Sequence, residues 1–218
     1  MLLRAWQWIG WLAYLAGCLL ILENSVADYR PGGSGIFISQ KGEIGHDPFW
    51  RASLYAHIAG GLLCLFSALA QFSRSLLHHF PAIHRKAGRV YVLSVLLLLC
   101  PTGFHLGLYA KGGLLGKLGF LTLAVASFHT TLAAWRAVMP PERNLPAHRV
   151  WMIRSFALAA SAISFRVFHL IGYAAGLSEA TNYIGSLWLS IFANAAAAEW
   201  IISQKQPSTR NSELQTES

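Results

Sequence analysis

Four histidines of this chain stand inside long apolar stretches: His57, His105, His129 and His169. Counted from the ends of those stretches, His57, His105 and His169 share one outer layer, roughly 5–8 Å inside the apolar slab at the helical rise. His129 lies some 15 Å deeper by the same rise. A pair of neutral imidazoles on facing helices is how b-type haem is held. Three converging imidazoles suit zinc or copper with an open fourth position. The third alternative is that each ring merely hydrogen-bonds a carbonyl or hydroxyl on a neighbouring helix. Inside a bilayer, ionisable residues tend to mark cofactors, relays or pathways. Arg166 precedes His169 by three positions and therefore shares its helix face. It falls near mid-membrane, where no carboxylate is expected at its depth; Glu199 is nearest but toward the cytoplasmic end. Its planar fork suits a haem propionate, a quinone oxygen or another anion, and bonding to helix carbonyls or snorkelling outward is the competing use.

Neighbouring residues refine this picture. Pro101 removes a helix bond four residues before His105 and predicts a kink there. Tyr109 and Tyr173 each follow a histidine by four residues, so they are placed to touch a ligand edge or to anchor at the interface. On the other side of the membrane, His84, Arg85, Arg89, His148, Arg149 and Arg154 form a basic, histidine-bearing motif. It suits a quinone head or an anion, or equally a topology signal that attracts anionic lipid.

The elements that must position these groups follow from composition. Of 218 residues, 55% are hydrophobic and 12% charged, about half the charge of a soluble domain. An ordinary soluble enzyme, a disordered chain and a disulfide-stapled module are all excluded. The three cysteines sit within apolar runs and read as buried small side chains. The expected fold is an all-α polytopic membrane bundle of six transmembrane helices, because six runs approach the 20 residues a span requires. They are Ala5–Leu22, Ala52–Ser73, Val90–Ala110, Leu114–Trp135, Ser155–Ala175 and Tyr183–Ile202. The first run ends near Ser25-Val26-Ala27, which resembles a signal-peptidase site, but its three tryptophans suit an interfacial belt.

Charge orients the spans. Arg74, Arg85, Lys86 and Arg89 lie between spans two and three, and Arg136, Arg143, Arg149 and Arg154 between spans four and five. By the positive-inside rule both loops and both termini are cytoplasmic, in the inner membrane. The net charge of +8 is thus a topology signal; no basic soluble domain is present to bind nucleic acid. The predicted organisation is one membrane domain over 1–203, an outside loop over 24–51 containing Pro31-Gly32-Gly33-Ser34-Gly35, and a disordered cytoplasmic tail over 204–218.

An internal repeat runs through the middle of the chain. Pro81-Ala82-Ile83-His84-Arg85 is echoed by Pro146-Ala147-His148-Arg149, and Phe104-His105 by Phe168-His169, both histidine pairs being 64 positions apart. Segments of about 52–110 and 114–175 therefore read as two parallel hairpins related by an axis along the membrane normal. On this reading spans two to five form a duplicated four-helix core, with spans one and six at the periphery. His105 faces His169 across the axis, and His84 faces His148 roughly 31 Å away, 21 residues down each helix.

The stretches LHHFPAIHRKAGRVY and AHRVWMIR, with His57 and Gln71-Phe72, resemble a bacterial family of predicted multi-spanning membrane proteins of unknown function. The resemblance covers roughly Ala52 to Tyr173 and implies a fold and a membrane location but no activity. A looser similarity is to transmembrane di-haem b-type cytochromes, carried by the helix start HRKAGRVYVLSVLLLLCPTGFHLGL. It implies a six-helix protein with haem ligands on the central four helices.

Three functions remain open from these residues. The first is a b-type haem protein for transmembrane electron transfer, with an outer haem on two of His57, His105 and His169 and a quinone or redox partner. A second haem would need His129 with His84 or His148. The second is a non-haem metal or small-molecule binding or transport protein that uses the same outer layer. The third is an accessory membrane protein with packed histidines. No phosphate-cradling glycine motif, Cys-x-x-Cys or HExxH occurs.

Overall fold

The computed structural model describes residues 2–29, 35–141 and 143–204. Met1, Arg30 to Ser34, Glu142 and the polar tail from 205 onward fall outside the described residues. Among those described, all regular structure is helical: α1 (Leu2–Tyr29), α2 (Ile36–Ser39), a 3-10 turn (Gly42–His46), α3 (Pro48–Gln71), α4 (Arg74–His79), α5 (Pro81–Leu93), a π-helical segment (Ser94–Leu99), α6 (Cys100–Gly107), α7 (Gly113–Arg136), α8 (Leu145–Ala174) and α9 (Glu179–Ser203). Span three is α5, the π segment and α6 in one continuous run, Pro81–Gly107. Among the described residues, six helices are long and apolar enough to cross a membrane.

Local chemistry sets the helix starts. The Asp47 carboxylate accepts the Trp50 backbone N–H, with Pro48 following at the first turn of α3. Asn144 caps α8 through the Ala147 N–H, and Ser178 caps α9 through the Thr181 N–H. Gly112 and Gly113, at φ 86° and 61°, turn the chain between α6 and α7, a conformation that favours glycine. The helices overrun the apolar runs: α1 continues seven residues past Leu22, so the outer loop is shorter than hydropathy predicts. Ser25 then sits inside α1, its hydroxyl bonded to the Ile21 carbonyl at 2.7 Å.

Helices α3, span three, α7 and α8 pack as a ring; α9 covers α7 and α8, and α1 lies over the seam between α3 and α8. The ring is filled by Cys64, Ala68, Tyr91, Val95, Ala134 and Met152, among others. A buried chain of hydroxyls ties three of the ring's helices together. Tyr91 OH and Ser155 Oγ are 2.9 Å apart, and Ser155 Oγ and Thr131 Oγ1 2.7 Å. Tyr91 and Ser155 are themselves 64 positions apart, like the paired histidines. Gly60 brings α3 against the π segment so closely that a Cβ would lie 2.7 Å from Leu98 Cβ and 3.0 Å from the Leu99 backbone nitrogen. Small residues at such crossings allow close backbone approach in membranes.

Ahead of Pro101 the helix departs from α geometry. Proline has no N–H to give to the preceding turn, and the helix winds into π geometry over Ser94–Leu99, just ahead of it. A π turn leaves carbonyls free for side-chain partners and occurs often at functional sites.

Candidate functional site

The π segment serves His57 directly. His57 Nδ1 lies 3.1 Å from the Leu99 carbonyl oxygen and 3.3 Å from Thr102 Oγ1. Since a carbonyl only accepts, the ring proton sits on Nδ1 and the lone pair on Nε2. Gly103 makes room for the ring, because a Cβ there would stand 3.0 Å from His57 Cε1. His57 forms one wall of a cavity of about 140 Å³ between α1, α3, the π segment and α8. Ile21, Leu62, Leu65 and Ala159 make this cavity largely apolar, and Ser25 and Arg166 close its outer side.

The same Ser25 and Arg166 line a second, larger cavity of about 450 Å³ at the α2 end of the bundle, the outer cavity. Its other walls include Asn24, Asp28 and Tyr29 from the last turns of α1, Phe37 of α2 and Gln40 at its C-terminal end. Arg166 therefore stands at the junction of the two spaces. One of its Nη groups donates to the Ala162 carbonyl at 2.6 Å. Among the described residues no carboxylate pairs with it; the ion pair found there is Arg154–Glu199. The expectation that no carboxylate shares the depth of Arg166 is corrected. Asp28 lines the same outer cavity, because α1 stays helical to Tyr29. The Asp28 carboxylate accepts the Ile36 N–H at 3.0 Å and the Phe37 N–H at 3.4 Å, which holds α2 over the cavity.

Two lysines flank that rim. Lys41 donates to the Tyr109 carbonyl and Lys111 to Gln40 Oε1, each at 2.8 Å. Burial, with the nearby Lys111 charge, holds the Lys41 ammonium below the ordinary lysine pKa.

The other histidines of the outer layer take separate partners. His105 Nδ1 lies 2.9 Å from Ser53 Oγ, and its ring is met edge-on by Phe49 and Tyr109. His169 stacks on Phe165 and meets Tyr183 of α9, and its Nδ1 is buried with no hydrogen-bond partner among the described residues. Asn182 donates to the His169 carbonyl at 2.9 Å. So His105 turns toward α3 and His169 toward α9. The structure does not bring the expected metal set of His57, His105 and His169 together. Among the described residues no three His, Cys, Asp or Glu side chains converge to hold a metal. His129 is exposed on the outside of α7, edge-on to Trp151. Tyr173 is 76% exposed, away from His169.

At the opposite end of the bundle, around the starts of α5 and α8, the motif residues divide. The Gln71 amide donates to His84 Nε2 at 3.0 Å, which puts the His84 proton on Nδ1. That Nδ1 and Gln71 Oε1 are both buried without partners among the described residues. His148 donates from Nδ1 to the Ala134 carbonyl at 2.8 Å. Arg154 forms a two-pronged pair with Glu199 at 2.7 and 2.9 Å and lies over the Trp151 ring. Arg85, Arg89 and Arg149 are exposed.

Sequence reasoning missed Ser25, Asn24, Tyr29 and Gln40, because they lie where the apolar run had already ended. Their four-residue spacing in α1, 24 to 28 and 25 to 29, is the signal that could have extended the helix. It also missed Thr102, whose hydroxyl one turn from Leu98 and Leu99 bonds both their carbonyls.

Six apolar helices around an apolar interior crossed by buried hydroxyls define a multi-spanning helical membrane protein. Within that class the chain belongs to the family of predicted membrane proteins DUF2306, whose model matches residues 54–202. No curated protein and no solved structure matches it significantly.

Proposed function

We propose that this chain is a small-molecule-binding protein of the inner membrane, with its site in the outer half of the bilayer and both termini cytoplasmic. One observation carries the reading: Arg166, without a carboxylate partner among the described residues, stands between the outer cavity and the cavity that contains His57. An intramembrane guanidinium needs oxygen partners, and a ligand carboxylate, phosphate or quinone carbonyl supplies them. His57 Nε2, left as an acceptor by the bond from Nδ1 to Leu99, can take only a hydroxyl or N–H group of the ligand, so the oxyanion or carbonyl oxygen belongs to Arg166. The orientation rests on the Arg-rich loops before α5 and α8.

The test is labelling of Ser25→Cys by a membrane-impermeant maleimide. The variant should react in spheroplasts, whereas the parent chain should not, since Cys18, Cys64 and Cys100 are 0%, 0% and 4% exposed. Labelling confined to inside-out vesicles would reverse the orientation, and no labelling from either side would remove the open site.

A b-type haem used for electron transfer is the second reading. It is favoured by the His57 ring, whose Nδ1–H is anchored on a carbonyl while Nε2 is left for a metal, as in ligating histidines. The second axial ligand, His105 or His169, would have to turn away from Ser53 or Tyr183 to reach it. The cavity at His57 has about 140 Å³, below the roughly 300 Å³ at which cofactor pockets begin, so the small-molecule reading stands first. A reduced-minus-oxidised spectrum with a b-type band, lost in His57→Ala, would reverse that order.

A further inference from the structure

The two cavities differ in character in a way that describes their occupant. The outer one is bordered by Arg166, Asn24, Ser25 and Gln40 and has room for a hydrated polar head. The inner one is walled by Ile21, Leu62, Leu65, Ala159 and Ala162. At about 30 Å³ per water-sized group, its 140 Å³ holds four or five such groups. The lining of the outer cavity carries one cation, Arg166, and one carboxylate, Asp28, with two further cations beside its rim. Arg166 uses one Nη group on a carbonyl, Lys41 and Lys111 flank the rim, and Asp28 accepts two backbone N–H groups of α2.

We propose that the two cavities form one site for an amphiphilic oxyanion, its carboxylate or phosphate on the Arg166 guanidinium and its short apolar chain against Leu62, Leu65 and Ala159. This rests on the open outer site of the preceding subsection and adds the ligand class. An anion gains charge-assisted hydrogen bonds from the planar fork, and the chain gains burial among apolar side chains. Arg166 lines both cavities, so a head on its guanidinium and a chain in the inner cavity belong to one continuous site.

The experiment follows thermal unfolding of the purified full chain in zwitterionic nanodiscs, by tryptophan fluorescence. Hexanoate and hexyl phosphate are the amphiphilic probes, hexanol the neutral one, and acetate and inorganic phosphate the soluble anions. Hexanoate or hexyl phosphate should raise the melting temperature with half-saturation at least tenfold below that of acetate or phosphate. Hexanol should have no effect beyond that on empty nanodiscs. Arg166→Gln should weaken the amphiphile at least tenfold. Ala159→Leu, which fills the inner cavity, should weaken hexanoate while leaving any acetate response unchanged. Equal responses to hexanol and hexanoate would overturn the proposal, as would an Arg166→Gln variant that still folds, by circular dichroism, and binds like the parent. Acetate or phosphate matching their six-carbon counterparts would make a free anion the ligand and remove the amphiphile. Should Arg166→Gln not fold, an unchanged hexanoate response in Ala159→Leu decides against it. Ser25→Cys labelling with no response to any probe would sink this ligand class and leave the open site standing.

Discussion

Gly60→Val should destabilise the protein by about 1–3 kcal/mol, the range for forcing extra methyl groups into a packed interior. The cause is geometric, since even one carbon would stand 2.7 Å from Leu98 Cβ and 3.0 Å from a backbone nitrogen. A backbone neighbour cannot rotate away, so α3 and the π segment must separate. Leu99 belongs to that segment, and its carbonyl holds His57 Nδ1. The variant should therefore lose the ring orientation together with stability. Unfolding of the purified chain in mixed micelles with rising sodium dodecyl sulfate, read by circular dichroism, measures the first effect. A midpoint equal to that of the parent would refute the close crossing. Gly61→Ala on the next position is the control, because a Cβ there meets only Leu99 Cδ1 at 3.6 Å, and its midpoint should hardly move.

Ser155→Ala is the second large effect, expected at about 1–3 kcal/mol for leaving buried hydroxyls unpaired. Ser155 is 1% exposed and lies between Tyr91 and Thr131, both 0% exposed, and its Oγ touches both of their oxygens. Removing it orphans two hydroxyls among apolar neighbours, whereas Tyr91→Phe removes one end and leaves Ser155 bonded to Thr131. The same titration should thus rank Ser155→Ala below Tyr91→Phe. The double variant should cost less than the sum of the two, because the orphaned Tyr91 hydroxyl has gone with its partner. Additive losses would mean that the hydroxyls act independently.

Much of the architecture is legible from spacing because a bilayer imposes length and apolarity on whatever crosses it. The six spans and the long Pro81–Gly107 run follow from that constraint. Helix ends are less legible. Polar residues such as Asn24, Ser25 and Asp28 end a hydropathy run without ending the helix, since a backbone ladder once begun continues until a cap or turn stops it. That is why Asp28 and Tyr29 arrive beside Arg166 unforeseen. The offset of 64 positions is equally plain in the sequence, yet it does not say which matched residues meet. Tyr91 and Ser155 bond at the centre of the ring. His105 and His169 diverge toward α3 and α9, because Ser53 and Tyr183 offer nearer neighbours than the axis does.

The sequence by itself determined the membrane class, the number of spans, the basic character of one side and the short roster of ionisable groups inside the bilayer. It could do so because each of these depends on composition along one strand of chain. Only the tertiary structure decided that His57 and Arg166 share a cavity while His105, His129 and His169 stand apart. Rotation about each helix axis and the π turn before Pro101 set which way a ring points. Both are fixed by packing between segments distant in sequence, where close contacts such as Gly60 on Leu98 leave one arrangement free of overlap.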